Sequence, residues 1–109
     1  MEDEEELFQR EVDQVAKDLN YFTESLENTL ERCEHPGVLE SMSTVVRRKL
    51  HRAKQEYKDA MGVLNYYDST EMGGVKVGPL KDAADYYEEM LSEVSDRGLE
   101  TDTDDLNFP

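Results

Sequence analysis

The sequence predicts an all-α protein, built as a long antiparallel helical hairpin plus a shorter third helix, in a three-helix bundle or an oligomeric helical bundle. Two long stretches repeat apolar residues at steps of three and four, which is the spacing of one helix face. A short Pro-Gly break joins these stretches, and a glycine pair precedes a third, shorter one. The chain has 109 residues, which suits one hydrophobic core, so we expect a single domain over residues 1–98.

Helix 1 is predicted over about residues 3–33. Acids crowd its start, where the helix dipole favours negative charge, and the break at residues 35–37 ends it. Its apolar stripe consists of Phe8, Val12, Val15, Leu19, Phe22, Leu26, Leu30 and Cys33. A stripe of this length needs a long partner to cover it.

Helix 2 is predicted over about residues 38–67, with a stripe of similar length. The stripe consists of Leu39, Met42, Val46, Leu50, Ala53, Tyr57, Ala60, Leu64 and Tyr67. Because only a few residues separate the two stripes, the helices are expected to pair as a hairpin.

Helix 3 is predicted over about residues 79–97, after a loop over residues 68–78. Gly78-Pro79 is typical of a helix start, and Arg97-Gly98 is typical of a helix end. This helix covers only part of the hairpin, so the uncovered part is expected to bind a second copy or another partner. Residues 99–109 lack periodicity and are expected to form an acidic tail that is disordered in isolation.

The net charge of −15 is distributed unevenly. Residues 1–35 hold twelve acids and three bases, residues 36–68 hold four acids and six bases, and residues 69–109 hold eleven acids and three bases. If helix 2 lies between helices 1 and 3, its bases face acids on both sides and help to determine which helices pair. The charge-pairing face of helix 2 is predicted to consist of Arg47, Arg48, Arg52, Lys54 and Lys58.

The basic stretch of helix 2 is also the candidate for nucleic-acid binding. The net charge opposes that function because it repels phosphates at long range. The sequence also shows no aromatic platform beside the bases on which nucleic-acid bases would stack. Direct binding of nucleic acid is therefore not expected.

No pattern of residues indicates catalysis. His35 and His51 are the two histidines, and Arg32 and Arg48 stand three residues before them, where a carboxylate di-metal site would need Glu. The acids of residues 102–105 resemble part of a calcium loop, but the Gly and Glu that such a loop requires do not follow. We therefore expect a protein that is not an enzyme and that holds neither metal nor cofactor.

The sequence predicts a cytoplasmic protein that does not enter membranes. No run approaches the roughly 20 apolar residues that span a bilayer. Residues 1–6 are acidic where a secretory signal would be basic and then apolar. Cys33 is the single cysteine, so it cannot form an internal disulfide, which fits a reducing compartment.

These features favour a protein–protein interaction module, acting as an assembly, adaptor or structural subunit, for example of a virus particle or another macromolecular machine. Protein partners are expected, including further copies of the chain in a homo-oligomer. The alternative is an acidic mimic of nucleic acid that binds a basic groove of another protein, and a third possibility is that the acidity only serves solubility in a salty cytoplasm. The candidate partner-binding residues are Tyr66, Tyr86, Leu106 and Phe108.

Overall fold

All the regular elements in the described part of the chain are helical. The computed structural model describes residues 4–70 and 75–99, and within these ranges every regular element is an α-helix. The helices are α1 (Glu4–Glu31), α2 (Pro36–Ser41), α3 (Ser43–Thr70) and α4 (Gly78–Asp96). The predicted all-α class is confirmed. The predicted tail beyond Leu99 lies outside the described residues.

The second predicted helix is two helices, because Met42 leaves helical geometry with a φ of −102° and a ψ of 9°. Pro36 occupies the first turn of α2, where its missing N–H costs nothing. The hydroxyl of Ser41 donates a hydrogen bond to the carbonyl oxygen of Val38 at 2.9 Å, a back-bond that competes with regular helix geometry. Met42 then packs against the core, with its sulfur 3.8 Å from that of Cys33. The expectation of one uninterrupted helix over 38–67 is therefore wrong, and α3 also continues to Thr70.

The core lies between α1, α3 and α4, and α1 packs along both of the others. The residues of α1 that it buries are Val12, Ala16, Leu19, Thr23, Leu26, Thr29 and Leu30. Three large members of the predicted stripe, Phe8, Val15 and Phe22, are only partly buried. Because two helices cover α1 from different sides, burial is greatest between them, where the small Ala16 and Thr23 allow close approach.

The charge pattern does not place the basic helix in the middle. Acidic α1 packs along acidic α4 as extensively as along α3, and α3 and α4 contact each other less. Tyrosine hydroxyls form hydrogen bonds with acids where these helices meet. Tyr86 of α4 hydrogen-bonds Glu27 of α1, and Tyr57 of α3 donates to Glu88 of α4 at 2.7 Å. Burial of apolar surface outweighs exposed like charges, whose repulsion solvent screens.

The end of α4 is a Schellman motif that also closes α1. Gly98 has a φ of 84°, its N–H bonds the carbonyl of Ser95, and the N–H of Leu99 bonds that of Val94. The guanidinium of Arg97 donates to the carbonyl oxygens of Leu30 at 3.3 Å and Cys33 at 3.1 Å. These carbonyls belong to the end of α1, so a side chain of α4 satisfies acceptors that α1 cannot satisfy alone. α4 ends at Asp96, one residue before the predicted limit at residue 97.

Candidate interaction surface

Nothing in the described ranges assembles a recognisable catalytic or metal site. Within residues 4–70 and 75–99, no group of three or more His, Cys, Asp or Glu side chains could hold a metal ion. His35 is exposed before α2, and His51 is half-buried on α3. None of the described helices is both long and apolar enough to cross a membrane. The surface features of the bundle are therefore the place to look for function.

One side of the α1–α3 pair carries α4, and the other side, which we call the open face, does not. Along the open face, α1 presents Phe8, Val15 and Phe22 at intervals of seven residues, which keeps them in one row. All three are half-buried and pack at the edge of the core. Two hollows lie along this row, and in the described residues only α1 and α3 line them.

The apolar hollow lies at the end of the open face nearest the start of α1. It has a volume of about 590 Å³ and is lined by Phe8, Glu11, Val15, Lys58, Asp59, Gly62, Val63, Tyr66 and Tyr67. The ring of Phe8 meets that of Tyr67 edge to face at a centroid distance of 5.8 Å. Tyr66 beside it is 52% exposed, so a large apolar ring remains in contact with water. Gly62 adds to the hollow because it carries no side chain.

The basic–aromatic groove lies at the other end of the open face. It has a volume of about 400 Å³ and is lined by Tyr21, Phe22, Ser25, Val45, Arg48, Lys49 and Arg52. The Tyr21 and Phe22 rings meet edge to face at 5.3 Å, and Tyr21 is 68% exposed. Three bases thus stand beside two aromatic rings and a valine, and none of the described lining residues is acidic.

An acidic midpoint separates the hollow from the groove. Glu56 is half-buried on α3, and its pKa is raised, first by burial and then by the negative charges of Asp18 and Asp59. Asp18 lies on α1 and Asp59 on α3, so carboxylates from both helices converge here. The open face therefore changes from apolar to acidic to basic along its length.

The predicted partner-binding residues lie in different places. Tyr66 lines the apolar hollow on the open face. Tyr86 lies between α4 and α1, where burial, then the charge of Glu27 and then its hydrogen bond raise the pKa of the hydroxyl to about 12. Leu106 and Phe108 lie outside the described residues. Of the two candidates that the structure describes, Tyr66 lies on the open face and Tyr86 does not.

The predicted basic face of α3 is divided among three surfaces. Arg48 and Arg52 line the basic–aromatic groove, and Lys58 lines the apolar hollow. Arg47 lines a third hollow, formed by α2, α3 and the end of α4 with Leu39, Glu40, Ser43, Arg97, Gly98 and Leu99. Lys54 is half-buried and lines none of the three. The expectation that no aromatic platform accompanies the bases is wrong for Arg48 and Arg52, because α1 brings Tyr21 and Phe22 beside these two.

No protein-family model, curated protein or solved structure matches the chain. A function can therefore be inferred only from its own residues. Sequence reasoning missed Val45 and Lys49 as surface candidates, and it assigned Phe8, Val15 and Phe22 to the buried stripe. The seven-residue spacing of these three was the available signal, since a second row beside the stripe of Val12, Leu19 and Leu26 indicates a second contact surface.

Proposed function

We propose that the chain is a non-catalytic protein–protein interaction module, an assembly or adaptor subunit that binds an amphipathic helix of a protein partner along the open face. The observation that carries this proposal is the half-buried row of Phe8, Val15 and Phe22. A row of large apolar side chains that is left partly wet is typical of a binding surface. A subunit of a virus particle or of another macromolecular machine would use such a surface.

The shape of the open face suits a helix. Two neighbouring helices form a groove, and a third helix laid into it extends the bundle by the packing already used by α4. The distance along α1 from Phe8 to Phe22 is roughly 21 Å, which about fourteen helical residues would span. The partner helix then needs apolar side chains at steps of three and four on one side.

The charges of the open face specify the partner further. Acids at one end of its helix would meet Arg48, Lys49 and Arg52, and a base at its middle would meet Glu56 and its acidic neighbours. A second copy docked face to face across a twofold axis at this level would place Glu56 against another Glu56. That repulsion favours a different protein over a second copy.

The proposal is tested with a synthetic amphipathic helix of about eighteen residues that carries leucines on one side, glutamates at one end and lysines at its middle. Its charge-exchanged counterpart has lysines at the end and glutamates at the middle. The full chain should bind the first peptide at least roughly tenfold more tightly by calorimetry, a difference of about 1.4 kcal/mol. Equal affinities would contradict the proposal.

Two double variants locate the binding site. Val15→Ser/Phe22→Ser should weaken peptide binding at least roughly tenfold. Lys76→Ser/Lys81→Ser, which changes two exposed residues at the start of α4, should leave it unchanged. Light scattering on the same samples detects self-association. If the unaltered chain is an oligomer and Val15→Ser/Phe22→Ser makes it a monomer, the open face binds a second copy of the chain instead.

A second candidate function, the nucleic-acid mimic, is favoured by the side of the bundle where α1 meets α4. Glu24, Glu27 and Glu31 of α1 all act on the hydroxyl of Tyr86, so three carboxylates follow one another along this edge. A mimic would use them to occupy a basic groove, and its binding would weaken steeply with salt. If Glu24→Gln/Glu31→Gln abolishes binding to a protein with a basic groove and Val15→Ser/Phe22→Ser does not, the mimic is the function.

A further inference from the structure

We propose that the segment of residues 100–109 docks in the basic–aromatic groove of its own chain and competes there with the acidic end of a partner. The docking depends only on the groove and the segment, whereas the competition rests on the proposed function. Two features of the described residues support it: the composition of the groove and the place where the chain leaves α4.

The groove requires a ligand that is both acidic and apolar. Arg48, Lys49 and Arg52 supply positive charge, and Tyr21, Phe22 and Val45 supply an apolar floor. Val45 is 41% exposed and Tyr21 is 68% exposed, so a ligand that covers them removes apolar surface from water, which favours binding. An acidic segment without apolar anchors would leave the apolar floor exposed to water, and an apolar segment without acids would gain no attraction from the three bases.

The segment after Leu99 has this composition. Residues 100–109 contain four acids and no base, and they also contain Leu106 and Phe108. The last of the acids directly precedes the two anchors, so charge and apolar contacts can be made in sequence order. The combination matches the bases and the rings of the groove.

The segment leaves the helices at the same end of the bundle as the groove. Leu99 lines the third hollow together with Ser43 and Arg47 of α3, and the groove begins at Val45 and Arg48 on the same two turns. Passing halfway around a helix of about 10–12 Å diameter takes roughly 16–19 Å. Leu106 follows Leu99 by seven residues and Phe108 by nine, which reach about 23 and 30 Å when extended. Both anchors can therefore reach the groove.

Tethering favours this occupant over free acidic molecules. The chain carries a net charge of −15, so it repels separate acidic proteins and nucleic acids at long range. The same charge also repels the tethered segment, but that segment is already present at an effective concentration in the millimolar range. The same argument favours docking within one chain over exchange between two chains.

The docking is tested by NMR relaxation on the uniformly ¹⁵N-labelled full chain at about 0.05 M salt, where screening is weak. Amides of residues 100–109 should show order parameters close to those of α4. In Arg48→Ser/Arg52→Ser they should fall below about 0.6, the range of flexible backbone. The control Lys76→Ser/Lys81→Ser has the same change of charge away from the groove and should retain the original values.

A second variant leaves the groove untouched, in case the first one fails to fold. Leu106→Ser/Phe108→Ser should cause the same loss of order in the segment and should shift the amides of Tyr21, Phe22 and Val45. Order parameters below about 0.6 in the unaltered chain would overturn the proposal. So would a groove that binds a short oligothymidylate while the amides of residues 100–109 stay unchanged, which would indicate a nucleic-acid site.

A spin label separates docking within a chain from docking between chains. The label is attached to Asn107→Cys in a Cys33→Ala background, and broadening is measured at Tyr21, Val45 and Arg52. Broadening is expected when label and isotope are on the same molecule, and none is expected when they are on different molecules. Broadening only in the mixed sample would overturn docking within one chain.

These experiments need no partner, so their result is independent of the proposed function. If the docking fails but the synthetic helix still binds, the open face remains a partner site without a competitor. If both hold, Leu106→Ser/Phe108→Ser should bind the synthetic helix at least roughly threefold more tightly than the unaltered chain, because the competitor is gone. An equal affinity of the two chains for the synthetic helix would show that the segment does not compete with it.

Discussion

The two sides of the α1–α3 pair contain similar apolar residues but differ in what covers them. On the covered side, Leu19 and Leu50 are fully buried, and they belong to one core cluster with Ala83, Ala84 and Tyr87 of α4. Polar side chains also bridge helices there, through Tyr57, Tyr86 and Arg97. On the open face, the large apolar residues Phe8, Val15 and Phe22 are only half-buried.

This difference shows that helical periodicity identifies apolar faces without saying which of them is covered. α1 has one wide apolar surface, and the position of α4 divides it into a part that stabilises the fold and a part that remains available for binding. Substitutions on the covered side should therefore lower the free energy of unfolding more than matched substitutions on the open face.

The largest difference is expected between Leu19→Ala and Val45→Ala. Leu19 is fully buried, so its truncation should cost about 2–5 kcal/mol by lost burial and a residual cavity. Val45 is 41% exposed on the open face, and its truncation should change stability by no more than about 0.5 kcal/mol. Urea unfolding followed by circular dichroism measures both. Equal losses would mean that the open face is part of the core.

Arg97→Met should be the next largest, with a cost of about 1.5 kcal/mol. The substitution removes charged hydrogen bonds to the carbonyls of Leu30 and Cys33, while the methionine retains most of the apolar stem. Lys81→Met is the control, because it removes an exposed charge from the same helix. Thermal unfolding compares them, and a similar small effect for both would show that α1 does not need this cap.

Two glycines should respond to alanine with opposite signs. Gly98 has a φ of 84°, where an L side chain is disfavoured, so Gly98→Ala should destabilise by about 1 kcal/mol. Gly62 lies inside α3 with open space around its Cα, so Gly62→Ala should stabilise by about 0.5–1 kcal/mol. Chemical unfolding gives both values. Destabilisation by Gly62→Ala would mean that the apolar hollow has no room for a methyl group.

Effects of a size similar to those of the glycines are expected from the tyrosine bridges of the covered side. Tyr57→Phe and Tyr86→Phe should each cost about 0.5–1.5 kcal/mol near neutral pH, and Tyr21→Phe on the open face should cost less. The hydrogen bond to Glu88 first, and then burial, raise the pKa of Tyr57 to about 12. The neutral hydroxyl therefore stabilises the fold fully below about pH 10, and this contribution is lost as pH rises towards 12.

The measurement for this prediction is unfolding free energy against pH between neutral and alkaline conditions. The unaltered chain should lose stability above about pH 10 more steeply than the chain carrying Tyr57→Phe/Tyr86→Phe, because only the former has the bridging hydroxyls. Parallel curves would show that the bridges do not contribute. The Tyr21→Phe chain should follow the unaltered one.

Much of the fold was predictable, and the reasons are local. The acids in the first turn of α1, Pro36 and Gly98 act on their immediate neighbours, so the limits of α1 and α4 lie within two residues of those expected from residue type. The interruption at Met42 was missed because a six-residue helix continues the apolar spacing of the next one, and the back-bond of Ser41 leaves no mark in that spacing. The open face was missed for a different reason, since it depends on which helix lies beside which.

The sequence by itself determined that the chain folds as helices, roughly where α1 and α4 begin and end, and which residue types form the apolar faces. These properties follow from interactions within a few residues along the chain. Only the tertiary structure decided that α1 packs along both long neighbours, that Arg97 closes α1, and that Tyr21 and Phe22 stand beside Arg48 and Arg52. Each of these joins residues more than twenty positions apart, and burial of apolar surface, which has no direction along the chain, brings them together.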